Sequence, residues 1–443
     1  MAGIRITLKE TGQQSIARLW VYNPNEEKEP DYLIHFRRPE DYYGEFGFDW
    51  MRDNYHDNTV IDSDYEKLKK EYYDCEKNEK VELSKNKEYF VPWLSIFPEQ
   101  EKSELKQKVK LKIEVEKLNN YQIQDDDYIE IPSKAGVIFN PNKIKVSEIN
   151  KNTTIEVICK EPLERDICIT AIDKNNIEVG KLNIIKNNGN YHLPIQLVKI
   201  ITNKGNKGDN EEASRKLSPS NIEILKKELQ NKYYNQPLIH LKFLPIKEVV
   251  IDIDEFKKKG VLSFHQDEMG EISIVRALKN FDEEVFNKYF KGFKGIVILL
   301  SAINENDITE GHAKVFPLDT HYVFIIPTSL TNSLTIAHEL GHVLGLFHSS
   351  FQGKENEKNI KETLNKYKNN PPKEINYGGR IYPIKQFLDI KKRELNTLPK
   401  HVFKPFQTDN FMESTNAGAP QKSFWKWQWL KMQEEIKLYH NEK

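Results

Sequence analysis

The chain has 443 residues, enough for two or three domains, with 66 Lys plus Arg against 67 Asp plus Glu and a formal net charge of -1. That balance removes the electrostatic case for a nucleic-acid partner, and no apolar run approaches the roughly 18 residues of a membrane span. Three cysteines, Cys75, Cys159 and Cys168, supply neither a disulfide framework nor a thiolate metal site.

Arg5, Lys9 and Glu10 interrupt the first twenty residues where a signal peptide needs an apolar core, so classical signal-directed export is not expected. The segment 1–105 is aromatic and charged, dense at Phe36, Tyr42, Tyr43, Phe46, Phe48 and Trp50, with poor periodicity. Cys75 sits there in a charged, Tyr-flanked run and reads as an inert thiol. From 106 to 187 the pattern becomes period two: Val109, Leu111, Ile113, Val115, then Ile155, Val157, Cys159, then Ile167, Ile169, Ala171. Alternation broken by Asn/Asp/Lys turns predicts a small antiparallel β-sandwich of immunoglobulin-like size.

The remainder, 188–443, reads as a third domain of mixed strands and helices. Leu193, Ile195 and Leu197 open a strand, and a Gly/Asn/Lys loop follows it. Ser218 with Pro219 then starts a helix carrying Ile222, Leu225 and Leu229 on one face. Strands are predicted over 238–244, 249–253 and 296–300, with a helix through Phe281, Val285, Phe286 and Tyr289 before the last. Two more strand-like runs, 311–316 and 321–326, lead into a helix over 329–346. The Lys/Asn/Glu-rich span 350–400, with Pro371 and Pro372, reads as a surface insertion. Trp425, Trp429, Met432 and Ile436 recur at helical spacing, the stripe of a core-facing helix near the end. The fold class is therefore α+β and multidomain.

Within 336–348 the run IAHELGHVLGLFH carries the chemistry. His338 and His342 are four residues apart, so one helix face presents both to a single ion. His348 supplies a third ligand if the chain turns after the helix, and Gly345 permits the turn because it lacks a Cβ. Three protein ligands with one open position is the zinc arrangement of hydrolytic sites. Glu339, beside the first ligand, is placed to take a proton from the water on zinc and later return it to a leaving amine.

HELGHVLGLFH resembles the zinc signature of the metzincin metallopeptidases, and Ser349 after His348 is closest to the matrixin branch. The resemblance spans about 190–443. It implies a zinc endopeptidase acting on a protein or peptide, with a mixed sheet, an active-site helix and one catalytic Zn2+ on His338, His342 and His348. It further implies a Met-turn, for which TDNFMES offers Met412, although the gap from His348 is long for a matrixin. No Tyr follows Met412 as a fifth ligand. Gly311, His312 and Ala313 become the edge strand that pairs with substrate. His312, His321 and His265 are bystanders to the metal, and a structural calcium stays undetermined. The S1′ pocket falls to the loop 413–420.

FRRPEDYYGEFGFDWMRDNY resembles N-terminal regions of type VI secretion effectors, which implies non-classical export, a secretion-apparatus component or an immunity protein as partner, and a role as a toxin. Two other readings remain open: a binding or delivery module with a degenerate protease domain, and a zinc amidase acting on peptidoglycan peptides.

Overall fold

The computed structural model describes residues 3–11, 14–22, 29–85, 87–99, 105, 107–189, 191–266, 268, 270, 272–305, 310–313, 321–350, 354–368, 371–377, 380–413 and 420–440. It is a mixed α+β chain with several sheets. Among the described residues no helix is long and apolar enough to cross a membrane.

In the front half, two sheets share one apolar core. One runs in the order Val137–Asn140, Thr154–Cys159, Lys108–Lys117, Tyr32–Arg37. The other runs Lys143–Lys145, Tyr128–Glu130, Ile167–Asp173, Glu178–Ile184, Trp93–Ser95, Gly47–Asp49. Period-two alternation turns Leu111, Ile113 and Val157 of the first sheet toward Ile129, Ile169 and Leu182 of the second, and all six are buried together. Burying each such side chain contributes about 1.5–3 kcal/mol.

The two sheets also take in chain from before residue 105. Tyr32–Arg37 lies antiparallel on Lys108–Lys117, with Phe36 opposite Ile113. Gly47–Asp49 and Trp93–Ser95 finish the other sheet. Strands of three residues are too short to show a period, which is why this segment reads as irregular in the sequence. Its middle part, Met51, Tyr55, Val60, Ile61, Leu68 and Tyr72, is buried in the same core as the helix that carries His338. A boundary at 105 thus has no counterpart in the packing.

The second half is built on a sheet ordered Ile239–Phe243, Tyr191–Thr202, Ile296–Ser301, Tyr322–Ile325, Gly311–Ala313, with Lys247–Ile251 beside the later part of Tyr191–Thr202. All neighbours are parallel except the last pair. Ile296–Ser301 is buried at every position, as a strand covered on both faces must be. Ile298 and Leu300 face the core that holds Ile336 and Leu340, whereas Val297 and Leu299 face Phe256, Phe281 and Val285.

Some expected bounds shift. The predicted loop after Thr202 contains the helix Lys207–Lys216. The helix begun at Pro219 runs to Glu228 and continues as a π-helical turn, Leu229–Tyr234, but Ser218 makes no side-chain cap bond. The helix expected over 329–346 is Ser333–Val343, because Pro327–Ser329 forms a separate short turn and Asn332 caps the longer helix. The insertion is ordered into Lys354–Lys366, a hairpin of Glu374–Tyr377 with Arg380–Pro383, and Ile384–Thr397. Near the end, Lys426–Glu435 is helical, and Trp425, Trp429, Met432 and Ile436 are all buried.

Candidate metal centre

The helix Ser333–Val343 begins where the Asn332 side chain accepts hydrogen bonds from the N–H groups of Leu334 at 3.1 Å and Thr335 at 3.3 Å. Thr335 Oγ1 donates to Glu310 Oε2 at 2.5 Å, tying the first turn to the residue just before the edge strand. His338 and His342 follow one turn apart.

The helix ends by a specific device. Gly345 takes φ +83°, its N–H donates to the His342 carbonyl, and the Leu346 N–H reaches back to the Gly341 carbonyl, each at 3.0 Å. This is the Schellman arrangement, which a left-handed glycine permits. It turns the chain so that the Leu346 carbonyl accepts from His342 Nδ1 at 2.7 Å. His338 Nδ1 donates likewise to the Phe411 carbonyl at 2.8 Å.

A carbonyl only accepts, so both Nδ1 atoms carry the proton and both Nε2 atoms keep a bare lone pair. His338 Nε2 is 3.1 Å from His342 Nε2 and 3.1 Å from His348 Nε2, and the last two are 3.2 Å apart. Three imidazoles on a tetrahedral ion with bonds of about 2.0–2.1 Å need donors roughly 3.3 Å apart. The donor set therefore fits a divalent cation. Among the described residues these three form a metal-capable group, His348 on its exposed side.

Burial drives the protonation in the same direction. It pulls His338 down to about 4, against the pull of the Phe411 carbonyl, and takes His342 well below the ordinary imidazole range with help from its two neighbours. His348 is also lowered by burial, with the Glu413 charge opposing. All three rings are neutral near pH 7, the form a metal requires.

Glu339 stays outside the donor group. Burial pushes its carboxyl up to about 7, while the His312 charge and a hydrogen bond from the Ala313 N–H work the other way. The residue lies along the strand Gly311–Ala313, where a Cβ on Gly311 would come within 3.5 Å of Glu339 Cγ. Among the described residues that strand is the last of its sheet, antiparallel to Tyr322–Ile325. Residues 314–316 of the predicted strand lie outside the described residues.

Met412 is fully buried in a turn, its N–H donating to Asn410 Oδ1 at 2.9 Å. Its carbonyl accepts from the Ser349 N–H at 2.9 Å, beside the third histidine. His312 is not a ligand: its ring lies between Asp282 Oδ2 at 3.0 Å and Glu305 Oε2 at 3.3 Å. His265 and His321 also lie outside the donor group. Of the loop 413–420, only Glu413 and Pro420 are among the described residues.

Sequence reasoning did not find the carbonyls of Leu346 and Phe411, nor Asn410. The first was within reach, because a Schellman turn at Gly345 fixes where the next carbonyl points. The other two had no local signal.

No family model and no curated protein matches the chain. Among solved structures, one described as "Structure of a chaperone-substrate complex" aligns with 62% of this chain and 42% of its own, at 11% identity and a TM-score of 0.24. A likeness that slight carries no argument about fold or activity.

Proposed function

We propose that the chain is a zinc-dependent endopeptidase of the metzincin type. The observation that carries this is the convergence of three Nε2 atoms, 3.1–3.2 Å apart, with buried Glu339 next to His338 on the same helix and outside the donor set. The HELGHVLGLFH run and a buried Met412 packed on Gly341 support it further.

His338, His342 and His348 would hold the ion, with Leu346 and Phe411 fixing the tautomers of two of them. When bound, zinc would supply a Lewis acid that polarises a carbonyl and brings the pKa of a water toward about 7. Glu339 takes the proton of the attacking water and delivers it to the amine nitrogen as the C–N bond breaks. The terminal strand Gly311–Ala313 receives an extended polypeptide in an antiparallel ladder, which makes the substrate a protein or peptide.

The test uses the purified full chain, assayed for zinc content and for hydrolysis of casein. One zinc per molecule is expected, lost in His348→Ala. Glu339→Gln should keep the zinc and lower the rate by about a hundred- to ten-thousandfold. A parent free of metal and inert after zinc is added, or a Glu339→Gln variant as active as the parent, overturns the reading.

A further inference from the structure

Phe411, whose carbonyl orients His338, and Met412, whose carbonyl holds Ser349, belong to a turn that lies far along the sequence from the histidines. The turn is anchored from far away in the chain. Asp409, two residues before Phe411, receives Arg38 Nη1 on Oδ2 at 2.6 Å and Arg52 Nη2 on Oδ1 at 3.1 Å, across 371 and 357 residues of sequence.

Both guanidinium groups are themselves fixed. They stack on Trp50 at 4.4 Å for Arg38 and 3.8 Å for Arg52, and Arg38 also lies 4.5 Å from the Tyr42 ring. Arg38 Nη2 donates to the Phe48 carbonyl at 2.6 Å, and Arg52 Nη1 to the Trp50 carbonyl at 2.8 Å and Asp49 Oδ1 at 3.2 Å. Burial alone would raise the Asp409 pKa. The charges of Arg52 and Arg38 outweigh it and hold the carboxyl below its ordinary range.

From Asp409 the constraint passes along the turn. Its carbonyl accepts the N–H groups of Lys422 at 2.7 Å and Ser423 at 3.1 Å. Asn410, fully buried, is locked by paired bonds with Gln428 at 2.7 and 3.1 Å and holds the Met412 N–H. Two of the three histidines thus take their orientation or their neighbour from residues 409–412.

We infer that Arg38 and Arg52, through Asp409, are positioning residues of the three-histidine centre, so that the aromatic segment near residue 50 is part of the metal site's framework. This rests on the reading that the cluster binds a divalent cation. Partners one shell out from a metal change affinity when lost, because a ligand free to rotate must be ordered again on binding. A cavity of about 300 Å³ beside Arg38, Trp50 and Asp409 leaves room for a longer carboxylate there.

The experiment measures zinc affinity by competition with a chromophoric chelator and records the cobalt(II) absorption band. It compares the parent, Asp409→Asn, Asp409→Glu, Arg52→Gln and, as a control for simple destabilisation, Val157→Ala in the front-half core. Asp409→Asn and Arg52→Gln, which act on the ligand's partner Phe411 rather than on a ligand, should weaken zinc by up to about tenfold, the low end for a direct partner, and shift the cobalt band. Asp409→Glu should restore both. Val157→Ala should lower the melting temperature and leave zinc affinity as it is. If Asp409→Asn is insoluble, Arg38→Gln is read in its place. A folded Asp409→Asn or Arg38→Gln that holds zinc as the parent does, or a Val157→Ala that loses as much affinity, overturns the inference alone. A parent that binds no zinc overturns it together with the reading of the cluster.

Discussion

Met412 occupies the space where Gly341 has no side chain: a Cβ built on Gly341 would lie 2.6 Å from the Met412 sulfur and 3.3 Å from its methyl. Gly341 stands between His338 and His342, so the helix face that carries these two histidines rests directly on the buried methionine. A glycine inside a helix is unfavourable on propensity alone, and this contact explains why one is here.

Gly341→Ala should therefore destabilise the chain by about 1–3 kcal/mol through overpacking, despite the better helix propensity of alanine. Met412→Ala opens a cavity and should cost about 2–5 kcal/mol. The two together should cost less than their sum, because the new methyl fills part of the space left behind. Urea unfolding of the zinc-free forms measures this. Strict additivity of the two losses would reject the contact as the cause.

His312 gives a stability slope in the alkaline range. Burial works against its charged form, but Asp282 and Glu305, each on one ring nitrogen, outweigh it and raise the pKa to about 10. A folded value above the ordinary imidazole value near 6.5 means the contribution is complete below that pH and is lost as pH rises toward 10. Thermal unfolding between pH 6 and pH 10 should show a falling midpoint in the parent and a flatter profile in His312→Gln. Equal slopes in the two would count against an ionic role.

The segment between the third histidine and the methionine turn is an excursion with joined ends. The Phe403 N–H donates to the Ser349 carbonyl at 2.9 Å. Between them the insertion has its own small aromatic core, in which Tyr367 and Tyr377 pack edge-on against Phe387. Replacing 354–397 by a flexible Gly/Ser linker should leave zinc content at one per molecule and the fold intact, as a long surface loop is tolerated thermodynamically. Zinc loss in a folded deletion variant would show that the insertion supports the site.

How much of this could be read from the chain depends on where each partner lies. His338, Glu339, His342, Gly345 and His348 fall within eleven residues, so helical geometry and one glycine turn are enough to gather them. Met412 is identifiable by resemblance, since nothing local marks it. The hold of Arg38 and Arg52 on Asp409 joins positions more than 350 apart by charge and stacking, and neither end carries a periodic pattern. The same holds for the three-residue strands at 47–49 and 93–95, which pair only because the sheet beside them already exists. Residues 36–55, whose resemblance implies a delivery role, pack into the two apolar cores and hold Asp409, contacts that do not bear on delivery.

Ala313→Pro tests the proposed substrate strand with little damage to the sheet. The Ala313 N–H is directed at the Glu339 carboxylate and makes no ladder bond to Val323, its partner in the register. Proline is tolerated on a terminal strand where the lost N–H points away from the sheet. The substitution removes the hydrogen bond to Glu339 and spoils the outer edge for an incoming strand. A hydrogen bond to a charged group is worth about 1.5–3 kcal/mol, so kcat/KM should fall roughly ten- to a hundredfold. Zinc content should stay at one per molecule, because Ala313 supplies none of the three donors. If substrate pairs along the strand, KM for long peptides should rise more than KM for a dipeptide amide, since only the long peptide uses the ladder. Kinetics equal to the parent's with both substrates would reject the edge strand as a substrate-binding element.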